Sequence, residues 1–256
     1  MNRRKFIKRA SGLIVPATFG IFVPKLKAQA FTWRDPAWVA KISKPVASGG
    51  GGPSALVDLR MSEGSGTSLA DSSGNGYTFT TNAGWSSSSP PTGATAYQTF
   101  ASASTQSASS NSAVNYAGNK IVTVDFWAKV SAWNTFNELA ISGSRANNSW
   151  EIGKQSNQEL TLRDNTGTKL QYIYNTDPAT TGSWHHWKAV FNANNGTIQL
   201  YIDGSLITQD SIADDGYVSG TAFSTQTVYL GTLGNLGAWY LDGNMALFKI
   251  FPGDTH

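Results

Sequence analysis

The chain has 256 residues, of which 40% are hydrophobic, 14% charged and none cysteine. That length and apolar content suffice for one large domain with its own core. The scarcity of charge excludes helical bundles and coiled coils, and the lack of cysteine excludes disulfides, thiolate catalysis and Cys-based metal sites. The net charge of +3 is unevenly spread: seven basic residues and no acidic one lie in the first thirty, while the remainder carries 12 Lys and Arg against 16 Asp and Glu, a formal charge of −4. A body of that charge lacks the electrostatic footprint of a protein that binds nucleic acid or anionic membranes.

Residues 1–30 read as a targeting segment: a basic start, an apolar run from Ala10 to Val23, then Ala28-Gln29-Ala30. The run is broken by Pro16 and Thr18 and falls short of the roughly 20 apolar residues a stable membrane span needs. The small residues Ala28 and Ala30 suit cleavage before Phe31. Asn2-Arg3-Arg4-Lys5-Phe6-Ile7-Lys8 resembles the twin-arginine export signal, with Asn2 and Ile7 as mild departures. The resemblance implies that Arg3 and Arg4 direct export of a folded protein to the periplasm, the cell surface or the medium. Residues 31–54 form an aromatic arm with Phe31, Trp33 and Trp38, closed by the Gly49–Pro53 hinge.

From 55 to 256 the pattern is strands and turns. Val122, Val124, Phe126, Ala128 and Val130 alternate with Thr123, Asp125, Trp127 and Lys129, which predicts a strand with one apolar face. Trp150–Gly153 and Leu160–Arg163 flank a polar loop and predict a hairpin. Trp187, Ala189 and Phe191 share a face. Asp203-Gly204, between Thr197–Ile202 and Leu206–Thr208, is the strongest hairpin signal in the chain. Ser86–Ser89 and Ala101–Ser112 are low in complexity and read as surface loops or weak edge strands. Many short strands with regular turns and no long 3.6-residue period predict an all-β, two-sheet antiparallel sandwich or barrel.

Three segments together resemble the concanavalin A-like, laminin-G-like family. They are Leu56–Gly76, with Glu63-Gly64-Ser65-Gly66 and Asp71-Ser72-Ser73-Gly74-Asn75-Gly76; Gly182–Trp187 followed by Tyr201-Ile202-Asp203-Gly204; and the closing run Gly243–Phe251. The resemblance covers about residues 55–252 in order and implies a jelly-roll sandwich. The family's closing strand often carries an aspartate that helps to hold a structural calcium. Ala246 stands at that position here, which leaves Glu63, Asp71 and backbone carbonyls as the remaining calcium ligands; no other cofactor is implied.

Laminarinase-like hydrolases of the same fold place Glu-x-Asp-x-x-Glu on one strand, so that acid and nucleophile flank the scissile bond. None of Glu63, Glu138, Glu151 and Glu159 begins such a motif, and these carboxylates, with Asp164, read as solvated positions. His185 and His186 are adjacent, point to opposite faces of a strand, and serve packing rather than a shared metal. What remains is a set of aromatics beside amides and a guanidinium: Trp127, Trp133 with Asn137, Arg145 with Trp150, and Trp239. A ring offers an apolar face to a sugar, and Asn, Asp and Arg reach its hydroxyls.

The sequence therefore points to a non-catalytic, exported carbohydrate-binding or adhesion module whose partner is a polysaccharide or glycoconjugate. The alternatives are a virion structural protein displaying a lectin-like head to other virion or cell-surface proteins, and a degenerate glycoside hydrolase.

Overall fold

The computed structural model describes residues 54–133, 137–154, 157–174, 177–234 and 239–255. Residues 1–53, where the sequence leads us to expect a leader, an aromatic arm and a glycine hinge, lie outside them. In chain order the strands of the first half are β1 (Val57–Leu59), β2 (Ser68–Ala70), β3 (Thr78–Thr81), β4 (Gly84–Ser86), β5 (Tyr97–Phe100), β6 (Ala108–Ser110), β7 (Ile121–Val130), β8 (Asn137–Ser142) and β9 (Trp150–Lys154). Those of the second half are β10 (Gln158–Arg163), β11 (Lys169–Tyr174), β12 (His185–Asn192), β13 (Thr197–Ile202), β14 (Ser205–Ile207), β15 (Ser211–Asp214), β16 (Val228–Leu230) and β17 (Gly243–Pro252).

They form two antiparallel sheets. One runs β14-β13-β12-β7-β17-β5-β4, with β1 also paired to β17; the other is nine-stranded and runs β15-β11-β10-β9-β8-β16-β6-β3-β2. The domain is an all-β jelly-roll sandwich. Its core is built from the alternation that the sequence shows. Val122, Val124, Phe126, Ala128 and Val130 of β7 are all buried and meet Trp150, Ile152, Leu160 and Leu162 from the facing sheet in one apolar cluster. Asp203 (φ 52°) and Gly204 (φ 79°) both adopt the left-handed backbone that a two-residue type I′ turn requires, closing β13 on β14.

The short Ala101–Ser112 stretch departs from its expected role. It contains β6, which is neither loop nor edge: it pairs with β3 on one side and β16 on the other. Ala108 faces the core, and the Ser110 hydroxyl accepts the Val228 N–H at 3.0 Å, so small residues here allow close approach rather than mark exposure.

The two outer faces differ. β13 and β17 bury alternate residues, as expected of strands with one wet face. β8, by contrast, is buried at every position and β9 at four of its five, so the outer face of the nine-stranded sheet is itself covered at these two strands. Polar residues lie under that cover.

Candidate functional site

Strand register places these residues in rows on the outer face. Trp150 and Ile152, Leu160 and Leu162 point inward, so Glu151, Gly153, Glu159, Thr161 and Arg163 point outward. Glu138 of β8 and Glu159 of β10 both lie opposite Gly153 of β9, giving one row. Ile141, Glu151, Thr161 and Gln171 form the next.

Glu151 is the hub. Its Oε1 accepts from Arg145 Nη2 at 3.0 Å and its Oε2 from Arg163 Nη2 at 3.3 Å, with only 8% of its side chain exposed. Beside it, Gln171 Nε2 donates to Glu159 Oε2 at 2.6 Å. Glu138 is wholly buried and its carboxyl fills the notch left by Gly153: a Cβ there would lie 2.7 Å from Glu138 Oε2. Burial pushes the Glu138 carboxyl well above the usual carboxylate range and Glu151 adds to this, while Arg145 and Arg163 pull it back. Burial also raises Glu159, against the pull of Lys169.

A ring completes the arrangement. The Arg145 guanidinium lies 4.1 Å from the centroid of the Trp239 ring, and the Trp239 carbonyl accepts the Glu138 N–H at 3.0 Å. Both members of this stack hold left-handed backbone, with φ 63° at Arg145 and 62° at Trp239. Such conformations are costly for residues with a side chain and persist where the surroundings over-determine them. Glu138 Oε1 and Oε2, Arg145 Nε and Arg163 Nε are buried and have no hydrogen-bond partner among the described residues. The cluster thus holds acceptors and donors side by side, next to an aromatic ring.

Of the aromatic and polar candidates named from sequence, the structure brings together Arg145 and Trp239. Trp150 is corrected: it is 0% exposed, stacks on Phe191 at 5.7 Å between ring centroids and donates its indole N–H to Tyr116 Oη at 3.1 Å. A ring with no exposed face cannot carry a sugar. Asn137 is likewise fully buried. Trp133 is half-buried at one end of the core, packed on Trp187 at 6.0 Å, and Trp127 stands on the other sheet beside His186, 5.3 Å away. The expectation of solvated carboxylates fails at Glu138, Glu151 and Asp164, all of them buried. Glu138, Glu151, Glu159, Arg163 and Gln171 were missed as site residues, although the period-two pattern that buries Trp150 and Leu160 also aims Glu151 and Glu159 together.

Over residues 101–254 the chain matches the family model described as the concanavalin A-like lectin/glucanases superfamily. It belongs to that superfamily. Among solved structures, this concanavalin A-like chain is similar to the receptor binding domain of botulinum neurotoxin mosaic serotype C/D. The TM-score there is 0.58 and the identity 18%, over 79% of this chain and 48% of that one. The binding domain of botulinum neurotoxin serotype D gives a TM-score of 0.57 at 18% identity, over 79% and 48% of the two chains. A structure of botulinum neurotoxin type C, whose cell entry is dependent upon interaction with two ganglioside molecules, gives 0.55 at 17% identity over 79% and 49%. These likenesses concern the fold, and the chain spans about half the length of the structures it matches. No curated protein matches the chain.

The calcium that the concanavalin A-like resemblance implies does not fit the residues present. Asp71 Oδ1 accepts from the Asp58 and Ser73 N–H groups at 2.8 and 2.9 Å, and Oδ2 from Ser73 Oγ at 2.6 Å. Glu63 Oε1 accepts the Ala70 N–H at 2.7 Å. Both carboxylates hold turns through protein donors, and among the described residues no group of three or more His, Cys, Asp or Glu is placed to hold a metal. The chain contains no cysteine, so no thiolate is available as nucleophile or metal ligand. Among the described residues no helix is long and apolar enough to cross a membrane.

Proposed function

We propose that this protein is a non-catalytic, glycan-binding module whose ligand meets the outer face of β8–β11 at Trp239 and Arg145. One observation carries this reading: a partly exposed ring and guanidinium, both on left-handed backbone, are stacked at 4.1 Å beside a buried carboxyl–guanidinium cluster that holds Arg145 in place. The Arg145 side chain is 30% exposed, and its guanidinium donates to the hydroxyl oxygens of a sugar lying on the ring. The ring gives the C–H face of the sugar an apolar surface. The similar type C toxin, with its dependence on gangliosides, supports a glycoconjugate as the class of partner.

Glu138 and Glu159 do not alter this reading toward hydrolysis. Glu138 is sealed over Gly153 with no exposed surface, and Glu159 is held by Gln171. A hydrolase needs an acid and a nucleophile that both reach the scissile bond. Binding of the full chain to a glycan array tests the proposal: saturable binding to at least one glycan is expected, and an array without signal contradicts it.

The same reading includes export and adhesion outside the cytoplasm, supported by Arg3, Arg4 and the short apolar run that follows them. Replacing both arginines by lysine should block export in a host with twin-arginine transport. Unchanged export, or an N-terminus still at Met1 in the assembled product, favours display on a virion instead.

A further inference from the structure

The inner face of the nine-stranded sheet changes character along its length. One cross-strand row joins Trp150, Leu162 and Leu170, and the next joins Ala140, Ile152, Leu160 and Tyr172. The row after that is Asn137, Lys154, Gln158 and Tyr174. Rows of apolar side chains are therefore followed by a polar one that still faces the core. Gln158 is 0% exposed and Tyr174 2%.

The opposite sheet supplies Trp187, also buried, and Trp133 packs against it at the same end. Lys154 Nζ lies 5.4 Å from the Trp133 ring centroid and makes an ion pair of 2.7 Å with Asp177, which is 38% exposed. The row thus runs from a half-exposed ion pair into the interior. There Gln158 Oε1 and Nε2, Tyr174 Oη and Trp187 Nε1 have no hydrogen-bond partner among the described residues. Buried polar groups left unmet in this way are rare and destabilising, and native cores satisfy nearly all of them.

The chemistry of these atoms narrows what can meet them. The amide donates and accepts, the phenol does both, and the indole only donates. None is charged, and burial holds the Tyr174 hydroxyl in its protonated form. An ionic guest would find beside Gln158 and Tyr174 only Lys154, already paired with Asp177, and an apolar guest would leave every one of these atoms unmet. A neutral group that donates and accepts satisfies both sides.

We propose that the polar row at the Trp133 end of the sandwich is a second binding site, in which a neutral hydroxyl guest joins the Gln158 amide and the Tyr174 hydroxyl, with the Trp187 indole N–H as a further donor at that end. The guest is bulk water or a hydroxyl of a saccharide, and the site is independent of the Trp239 face. Tyr174→Phe removes a single oxygen, and Gln158→Met keeps the side-chain length while removing the amide. With a hydroxyl guest in place, each variant of the full chain loses hydrogen bonds and melts about 2–4 °C below the wild type. If the site is dry, each removes an unmet buried polar group and melts at or above the wild type, which overturns the proposal. Titration with methyl α-glucoside, followed by tryptophan fluorescence, separates the two sources. A saturable change that Tyr174→Phe abolishes identifies the saccharide, whereas lowered melts without a fluorescence change identify water.

Discussion

Gly153→Ala tests the packing on which the outer-face cluster rests. Gly153 lies in a strand and its backbone suits alanine, so the substitution should stabilise by about 0.4–1 kcal/mol through the unfolded chain if nothing stood in the way. The Glu138 carboxyl stands in the way: the new Cβ would lie 2.7 Å from Oε2, 3.0 Å from Cδ and 3.1 Å from Oε1. Those contacts force a fully buried carboxyl off its seat, an overpacking cost of about 1–3 kcal/mol. The net expectation is a loss of about 1–2 kcal/mol, read as a lower urea midpoint. In a Glu138→Ala background the three nearest atoms are gone, and the same substitution should be neutral or stabilising. The double-mutant cycle should therefore give a coupling of about 1.5–3 kcal/mol. An equal effect of Gly153→Ala in both backgrounds would refute the placement of Glu138.

Four further outcomes follow from the same structure. Burial raises the Glu138 carboxyl above its ordinary value of 4.5, so its contribution to stability is full below pH 4.5 and is lost as pH rises through the folded-state value; urea titrations should show Glu138→Gln gaining on the wild type above pH 4.5. Asp164 behaves oppositely: burial raises it, but hydrogen bonds from Thr168, Val218 and Thr166 outweigh that and hold it below its ordinary 3.8. Its contribution is present above pH 3.8 and lost as pH falls, so Asp164→Asn should lower the neutral-pH melting temperature and flatten the acid limb of stability against pH. Trp150→Ala should cost about 3–5 kcal/mol in chemical denaturation, as a core truncation does. A chelator should leave the melting temperature unchanged, because protein donors already occupy the Asp71 carboxylate; a fall of tens of degrees would reveal a calcium site.

The fold was legible where side-chain period and turn chemistry agree. The alternation in Ile121–Val130 and the Asp203-Gly204 turn each determine a local geometry that the structure reproduces. β6 was hidden because Ala and Ser carry little periodic signal, and its place between β3 and β16 is set by distant strands. The site was legible only in part for the same reason. Arg145 and Trp239 could be chosen as residue types, but their stacking depends on how the loop after β8 meets the segment between β16 and β17. Trp150 was misassigned by reading its sequence neighbours instead of its parity: it alternates with Glu151, so the residue beside it is the one that reaches the outer face. The seat of Glu138 over Gly153 required knowledge of the β8–β9 register, which includes a shift between Glu138 and Ala140 that period-two counting does not reveal.

The most direct test of the glycan-binding account is the affinity of Trp239→Ala for whichever glycan the wild type binds, measured beside its melting temperature. A stacked ring at a binding hot spot is worth more than about 1 kcal/mol, so affinity should fall at least several-fold. The melting temperature should stay within a few degrees of the wild type, since the Arg145 cation–π contact is partly exposed and worth about 0.5–1 kcal/mol. Trp127→Ala, on the other sheet, should bind as the wild type does. Undiminished binding by Trp239→Ala, with loss on Trp127→Ala instead, would contradict the account and move the ligand to the opposite face of the sandwich.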